Sequence, residues 1–431
     1  MISRYEVKEV SKFWTEEARY GHFLQVEIAL LKALESQKMI PANVAAAFEG
    51  VAIRPERIRE IEEVTRHDVI AFCTSITEQV KPEAARYFHF GVTSSDILDT
   101  ALTLQLRESM SLVIKRLEDL IKALDQKVAE TKDLLSMGRS HGMAAEPMVF
   151  AQKFLSARAE FKRRLDDYQA ALESEMTGQL SGAVGNYTVI TPEIEAQALQ
   201  SLNLKVEAVS TQVIPRDRIA KIVTIGALIA SALERLAVEI RHLHHSDISE
   251  VHEGFKTGQK GSSTMPHKKN PISAENISGL ARVIKSHAPM ALENNVLWHE
   301  RDISHSSSER LYLPDHFGLL AYTLGRMGST IRDLEVHREH VQGKVDRGFT
   351  TLSSFILHSL IRENPVPREE LYAIVQAATF EAKNLDDLVK QIQNRVSEKG
   401  LKWSSNQLNW EQIRKSYFER FEKVLSRTLS E

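Results

Sequence analysis

The chain of 431 residues has a single cysteine, Cys73, so it can form no internal disulfide and no thiolate metal cluster. Cys73 reads as a buried structural thiol. The sequence has no apolar run free of charge that is long enough to span a bilayer, and the opening MISRYEVKEVSKFW has neither an apolar core nor a small-residue cleavage site. A cytoplasmic chain with no membrane partner is expected. Charge of one sign is lacking as well: 55 basic and 58 acidic residues leave a net charge of -3, which gives no global field for nucleic acid. Neither GxxxxGK[ST] nor GxGxxG occurs, so a nucleotide would enter as substrate rather than through those cofactor folds. Short-period repeats and low-complexity tracts are also missing, which sets aside solenoids and linkers.

What is abundant is helical period. Ile222, Ile225, Ile229, Leu233, Leu236, Ile240 and Leu243 recur at steps of three or four between Arg216 and His244. A second stripe runs through Leu106, Met110, Val113, Leu117, Leu120, Leu124 and Val128, and a third through Phe154, Phe161, Leu165, Tyr168 and Leu172. Prolines are missing from all three, so helices of about 25 to 35 residues are expected instead of the usual ~11–12. Ser94, Ser95 and Asp96 supply start signals for one helix and Pro215 for another. The strand signal is confined to SGAVGNYTVIT, residues 181–191, which reads as a small hairpin or an extended excursion.

The fold class is therefore all-α. Prolines at 41, 55, 82, 365 and 367 punctuate the two ends, which divides the chain into an N-terminal helical domain (1–92), a long-helix bundle (93–345) and a C-terminal helical domain (346–431). Stripes this long and uniformly aliphatic call for partner helices, so assembly through the central region is expected, with a monomeric bundle as the alternative.

Residues 258–271, GQKGSSTMPHKKNP, break the helical pattern and concentrate hydroxyls, amides and cations in one loop. Such a loop can close over a ligand, or it can be a solvated basic turn. Its GSSTMPHKKNP portion resembles the signature of the fumarase/aspartase superfamily, whose members eliminate fumarate or a related acid from succinyl-type substrates. Four further segments resemble its adenylosuccinate lyase branch: Arg4-Tyr5, TRHDV from Thr65 to Val69, HFGVTSSD from His89 to Asp96, and STQVIPRD from Ser210 to Asp217. A fifth, RSHGMAAEP from Arg139 to Pro147, is similar to that branch's RSHGxxAEP stretch, with Ala144 and Met148 where relatives often carry His and Thr.

The resemblance implies a three-domain, all-helical homotetramer whose active sites are each assembled from three subunits. It implies β-elimination of fumarate from adenylosuccinate, giving AMP, and from the succinylated aminoimidazole carboxamide ribotide (SAICAR), giving AICAR, without metal or organic cofactor. Removing a proton beside a carboxylate builds a dianion, so such a site needs a base, fixed donors and an acid at the departing nitrogen. By resemblance Ser262 is the base, His141 the acid, and Lys268 and Asn270 carry the succinyl carboxylate with help from Ser263. Glu275 corresponds to a residue that positions the acid histidine. Thr93, Ser94 and Gln212 correspond to succinyl contacts, and Arg66, His67, Asp68 and His89 to the phosphate and purine side. Arg301, Ser306 and Arg310, in WHERDISHSSSER, form with Arg4 and Tyr5 the candidate phosphate and ribose site, guanidinium groups being suited to phosphate.

Other readings compete at this point. The run His242-Leu243-His244-His245, with His252 beyond, invites a metal, yet no carboxylate or cysteine stands at a recognised ligand spacing, and the charged end of a long helix serves as well. The leaving group separates the branch from argininosuccinate lyase, fumarase, aspartase and carboxymuconate cycloisomerase. A catalytically silent scaffold is the non-enzymatic alternative, which intact Ser262, His141 and Lys268 oppose.

Overall fold

The computed structural model describes residues 2–255, 258, 261–405 and 409–430. The three apolar stripes become the helices Ser94–Thr131, Gln152–Ser174 and Asp217–His244, of 38, 23 and 28 residues. Two more long helices, Ile272–Glu293 and Ser304–Arg332, each accommodate an internal proline, Pro289 and Pro314. Every residue of the first two stripes is buried. No helix among the described residues is long and apolar enough to cross a membrane.

The chain separates into two compact units built from interleaved segments. Residues 1–120, 161–237 and 274–328 make the first. In it an aromatic cluster locks the N-terminal helices: Phe72 stacks on Tyr20 at 5.8 Å and meets Phe23 edge-on at 5.4 Å, while Phe48 stacks on Phe88 at 4.8 Å. These rings matter to the site because Phe72 lies one turn after His67-Asp68 and Phe88 immediately precedes His89. Further along, Gly226 of Asp217–His244 lies against the fully buried His316 of Ser304–Arg332; a Cβ there would fall 2.2 Å from His316 Nε2. The missing side chain is what lets the two helices approach so closely.

Residues 121–160, 238–273 and 329–431 make the second unit. Its C-terminal part is a three-helix cluster, Ser353–Glu363, Arg368–Glu381 and Leu385–Glu398, closed around Ile356, Leu360, Leu371, Leu388 and Ile392. The same unit holds an antiparallel hairpin, Leu135–Ser140 with Met143–Val149, in the register Leu135↔Val149 to Ser140↔Met143. A bulge falls at Gly138, where a side chain would meet the Glu146 carbonyl at 2.7 Å.

That hairpin was not anticipated, and the one expected at 181–191 does not form: these residues are turns and bends. Gly182, Gly185 and Tyr187 all have positive φ, which no strand tolerates in succession. The backbone N–H groups of Ser181 and Gly182 go instead to the buried Asp96 carboxylate, each at 3.1 Å. Side-chain acceptors thus replace a strand partner.

Candidate active site

In the first unit, the helix Pro55–Thr65 ends with Arg66 in the left-handed region, and His67 then caps the next helix, Asp68–Thr77. His67 Nδ1 accepts the Ile70 N–H at 3.4 Å, which places the ring proton on Nε2, 3.4 Å from Ser94 Oγ. The two motif segments are therefore joined by an imidazole that donates to a hydroxyl. Asp68 accepts from Arg19 Nη2 at 2.8 Å and from Arg310 Nη2 at 2.6 Å. Burial works to raise this carboxyl, but the two guanidinium charges outweigh it and hold Asp68 below the usual carboxylate range.

His89 is fixed twice by one carboxylate: its N–H donates to Glu27 at 3.1 Å and its Nδ1 sits 2.7 Å from the other Glu27 oxygen. Glu27 is completely buried. Burial disfavours the imidazolium, yet the Glu27 bond and charge prevail and raise the His89 pKa above 6.5. Thr93 is held by Asp96, which accepts its N–H at 2.9 Å at the start of Ser94–Thr131. Burial pushes Asp96 up to about 6 against the backbone donors of Thr93, Ser181 and Gly182.

Gln212 donates to the Ala183 carbonyl at 2.8 Å and accepts from Arg301 at 2.8 Å. Arg301, Ser306 and Arg310 line one cavity of about 260 Å³, together with Arg19, Arg216 and His305. Arg216 is almost wholly buried and grips Asp99 with both Nη atoms, at 2.7 and 2.8 Å, and Glu309 with Nε at 2.9 Å. Two carboxylates share one guanidinium in a dry place, so burial drives Glu309 up to about 7. Burial, reinforced by the Arg216 charge, drops His305 to about 4, and the ring is neutral at physiological pH. Four guanidinium groups and a neutral imidazole line this cavity together with the carboxylates of Glu16, Asp99 and Glu309, a surface suited to a polar ligand that can compete for the arginines. Arg4 is exposed in the short Ser3–Tyr5 turn, and Tyr5 packs edge-on against Tyr322 at 5.3 Å with its hydroxyl accepting from Asn276 at 3.4 Å. Neither lines that cavity. Glu275 is exposed in the first turn of Ile272–Glu293, where a negative charge complements the helix dipole.

In the second unit, Gln259 and Lys260 of the loop lie outside the described residues, whereas the whole Gly261–Pro271 portion is described. Ser262 Oγ accepts two backbone N–H groups, from Thr264 at 3.3 Å and from Met265 at 3.0 Å. Asn270 Nδ2 donates to the Gly261 carbonyl at 2.9 Å, tying the ends of the turn together. Gly261 is required there, because a Cβ would lie 2.1 Å from the Lys268 carbonyl oxygen. Ser263 and Lys268 are exposed. His141 stands exposed at the tip of the hairpin, and with Gly142 it makes a two-residue turn with φ of 54° and 78°. Two residues before His141, on the same strand pair, Arg139 is held by the buried Glu250, which also takes Lys344 Nζ at 3.1 Å.

Arg19, Glu27, Asp99, Arg216, His305 and Glu309 were not singled out as functional from the sequence. Signals were available for four of them: Arg216 lies in STQVIPRD, His305 and Glu309 lie in WHERDISHSSSER, and Glu27 is a carboxylate among the buried apolar residues of Glu16–Ser36.

The family described as Lyase matches residues 3–285. Adenylosuccinate lyase from Thermotoga maritima is 42% identical over 387 residues, covering 89% of either chain. That from Synechocystis sp. is 43% identical over 388 residues, 90% of either chain. Among solved structures, the β-carboxy-cis,cis-muconate cycloisomerase from Acinetobacter calcoaceticus sp. ADP1 superposes with a TM-score of 0.85 over 99% of this chain and 98% of its own, at 23% identity, which shows a common fold. With relatives this similar over nine-tenths of its length, the chain belongs to the adenylosuccinate lyase family of the fumarase/aspartase superfamily.

Proposed function

We propose that the chain catalyses the reversible elimination of fumarate from adenylosuccinate to give AMP, and from SAICAR to give AICAR, in a cytoplasmic homotetramer whose sites draw on three subunits. Ser262 takes the proton from the carbon beside the succinyl carboxylate. The carbon–nitrogen bond then breaks, its electron pair leaves with the nitrogen, and His141 supplies the proton that neutralises it. Lys268 and Asn270, with Ser263, carry the charge that develops on the carboxylate. Glu275 positions His141, a part its charge suits.

The observation that carries this reading is the pair of N–H groups already directed at Ser262 Oγ. A serine becomes a base only if its anion is stabilised, and fixed backbone donors do so without reorganising during the reaction. In the first unit, Thr93, Ser94 and Gln212 supply neutral donors and acceptors for the succinyl group. The cations Arg301 and Arg310, with Ser306, suit a phosphorylated nucleotide, to which Arg66, His67, Asp68 and His89 contribute on the phosphate and purine side and Arg4 and Tyr5 on the ribose side.

The test is fumarate release from adenylosuccinate by Ser262→Ala and His141→Ala. Each variant should lose at least about a thousandfold in turnover while keeping its assembly state. Mixing the two inactive proteins should restore part of the activity, because hybrid assemblies contain sites with both intact residues. Full activity in either single variant, or turnover of argininosuccinate with adenylosuccinate inert, overturns the reading.

A further inference from the structure

The strand Val251–His252 leads into the segment that carries Ser262 and pairs antiparallel with Glu335–Val336, setting His252 opposite Glu335. Directly opposed residues project to the same side of a strand pair, as does His337, two positions beyond Glu335. One ligand atom from each of these three side chains lies within 4.8 Å of the others. The His252 and His337 rings meet edge-on with centroids 4.3 Å apart.

The hydrogen bonding around the cluster sorts these rings by availability. His337 Nδ1 lies 3.0 Å from the Ser249 carbonyl oxygen, which makes Nδ1 the donor and leaves the Nε2 lone pair available. Metal-binding histidines are commonly oriented by this kind of carbonyl contact. His244, whose ring is 4.7 Å from that of His252, has both nitrogens engaged: Nδ1 accepts from Glu253 N–H at 3.4 Å and Nε2 donates to the Lys269 carbonyl at 2.9 Å. Glu335 brings a carboxylate to the same cluster and supplies the negative charge that a cation needs.

We propose that His252, Glu335 and His337 form a binding site for a divalent transition-metal ion of the zinc type, at the root of the signature segment. Two imidazoles and one carboxylate are a ligand set that zinc accepts, with a fourth position open to water. Bonds of about 2 Å in a tetrahedron require ligand atoms about 3.4 Å apart, so binding draws the three side chains together by small rotations. Such an ion ties two strands remote in sequence and fixes the point from which the Ser262 segment departs. The elimination itself uses no step through it.

The experiment uses the untagged, metal-stripped full chain, titrated with Zn2+ against a chromogenic chelator, with Co2+ absorption as a report on coordination. One ion per chain, bound with micromolar or tighter affinity, is expected. His252→Asn and His337→Asn should each weaken binding by at least about tenfold, and Glu335→Gln, at an exposed position, should weaken it with the fold untouched. His242→Asn should bind as the parent does. Binding no tighter than millimolar, or binding indifferent to His252→Asn and His337→Asn, overturns the site.

Discussion

Glu27 gives both oxygens to one histidine from a place with no access to water, so it sets His89 in position and in charge. Because the folded pKa of His89 lies above 6.5, the pair contributes stability fully below that value, and the contribution fades as pH rises through the folded pKa. Glu27→Gln should cost roughly 1–3 kcal/mol in a denaturant titration near pH 6, and the penalty should shrink at higher pH. The His89 ring resonances should titrate lower in the variant; an unmoved titration would show that Glu27 does not control this ring. Residues of this kind are the ones a sequence hides. Ser262, His67 and His141 stand in dense local motifs and could be named at once, whereas Asp68 meets Arg310 from 242 positions away. Arg19 is a single charge in a helical pattern, and only the folded chain brings it to the cavity that Arg310 also lines.

The hairpin and the long helices show opposite degrees of legibility at the scale of the element. A helix announces itself by repetition, and the stripe from Ile222 to Leu243 predicted Asp217–His244 to within a residue at its start. The hairpin has no such repetition: Gly138 makes a bulge, Pro147 pairs with Met137, and Ala144 and Ala145 carry no strand signal. What specifies it is the turn, where His141 and Gly142 both take left-handed conformations. Gly142→Val should strain this turn and shift the imidazole, lowering fumarate release by about a hundredfold for a displacement near 1 Å, while far-ultraviolet circular dichroism stays helical. Activity equal to the parent would mean that the turn does not aim His141. At the other long-helix contact, Gly226→Ala should force the buried His316 to move and destabilise the chain by about 1–3 kcal/mol, read from the thermal midpoint.

For the whole molecule, the proposed tetramer makes a hydrodynamic prediction. Sedimentation should give about four times the chain mass of 48.7 kDa, and dilution that dissociates the assembly should abolish fumarate release in parallel. A fully active monomer would contradict shared sites. Exposed apolar side chains on the long helices, including Leu228, Val283, Leu292 and Leu311, are surfaces that assembly could cover. The ion pairing at Asp68 bears on capture at this same scale. A chain with net charge -3 offers an anionic nucleotide no long-range attraction, and two guanidinium groups of the cavity already share the single carboxylate of Asp68. A phosphorylated ligand that engages them must act as a replacement counter-ion, so encounter rates should vary little with ionic strength and discrimination should favour dianions over monoanions.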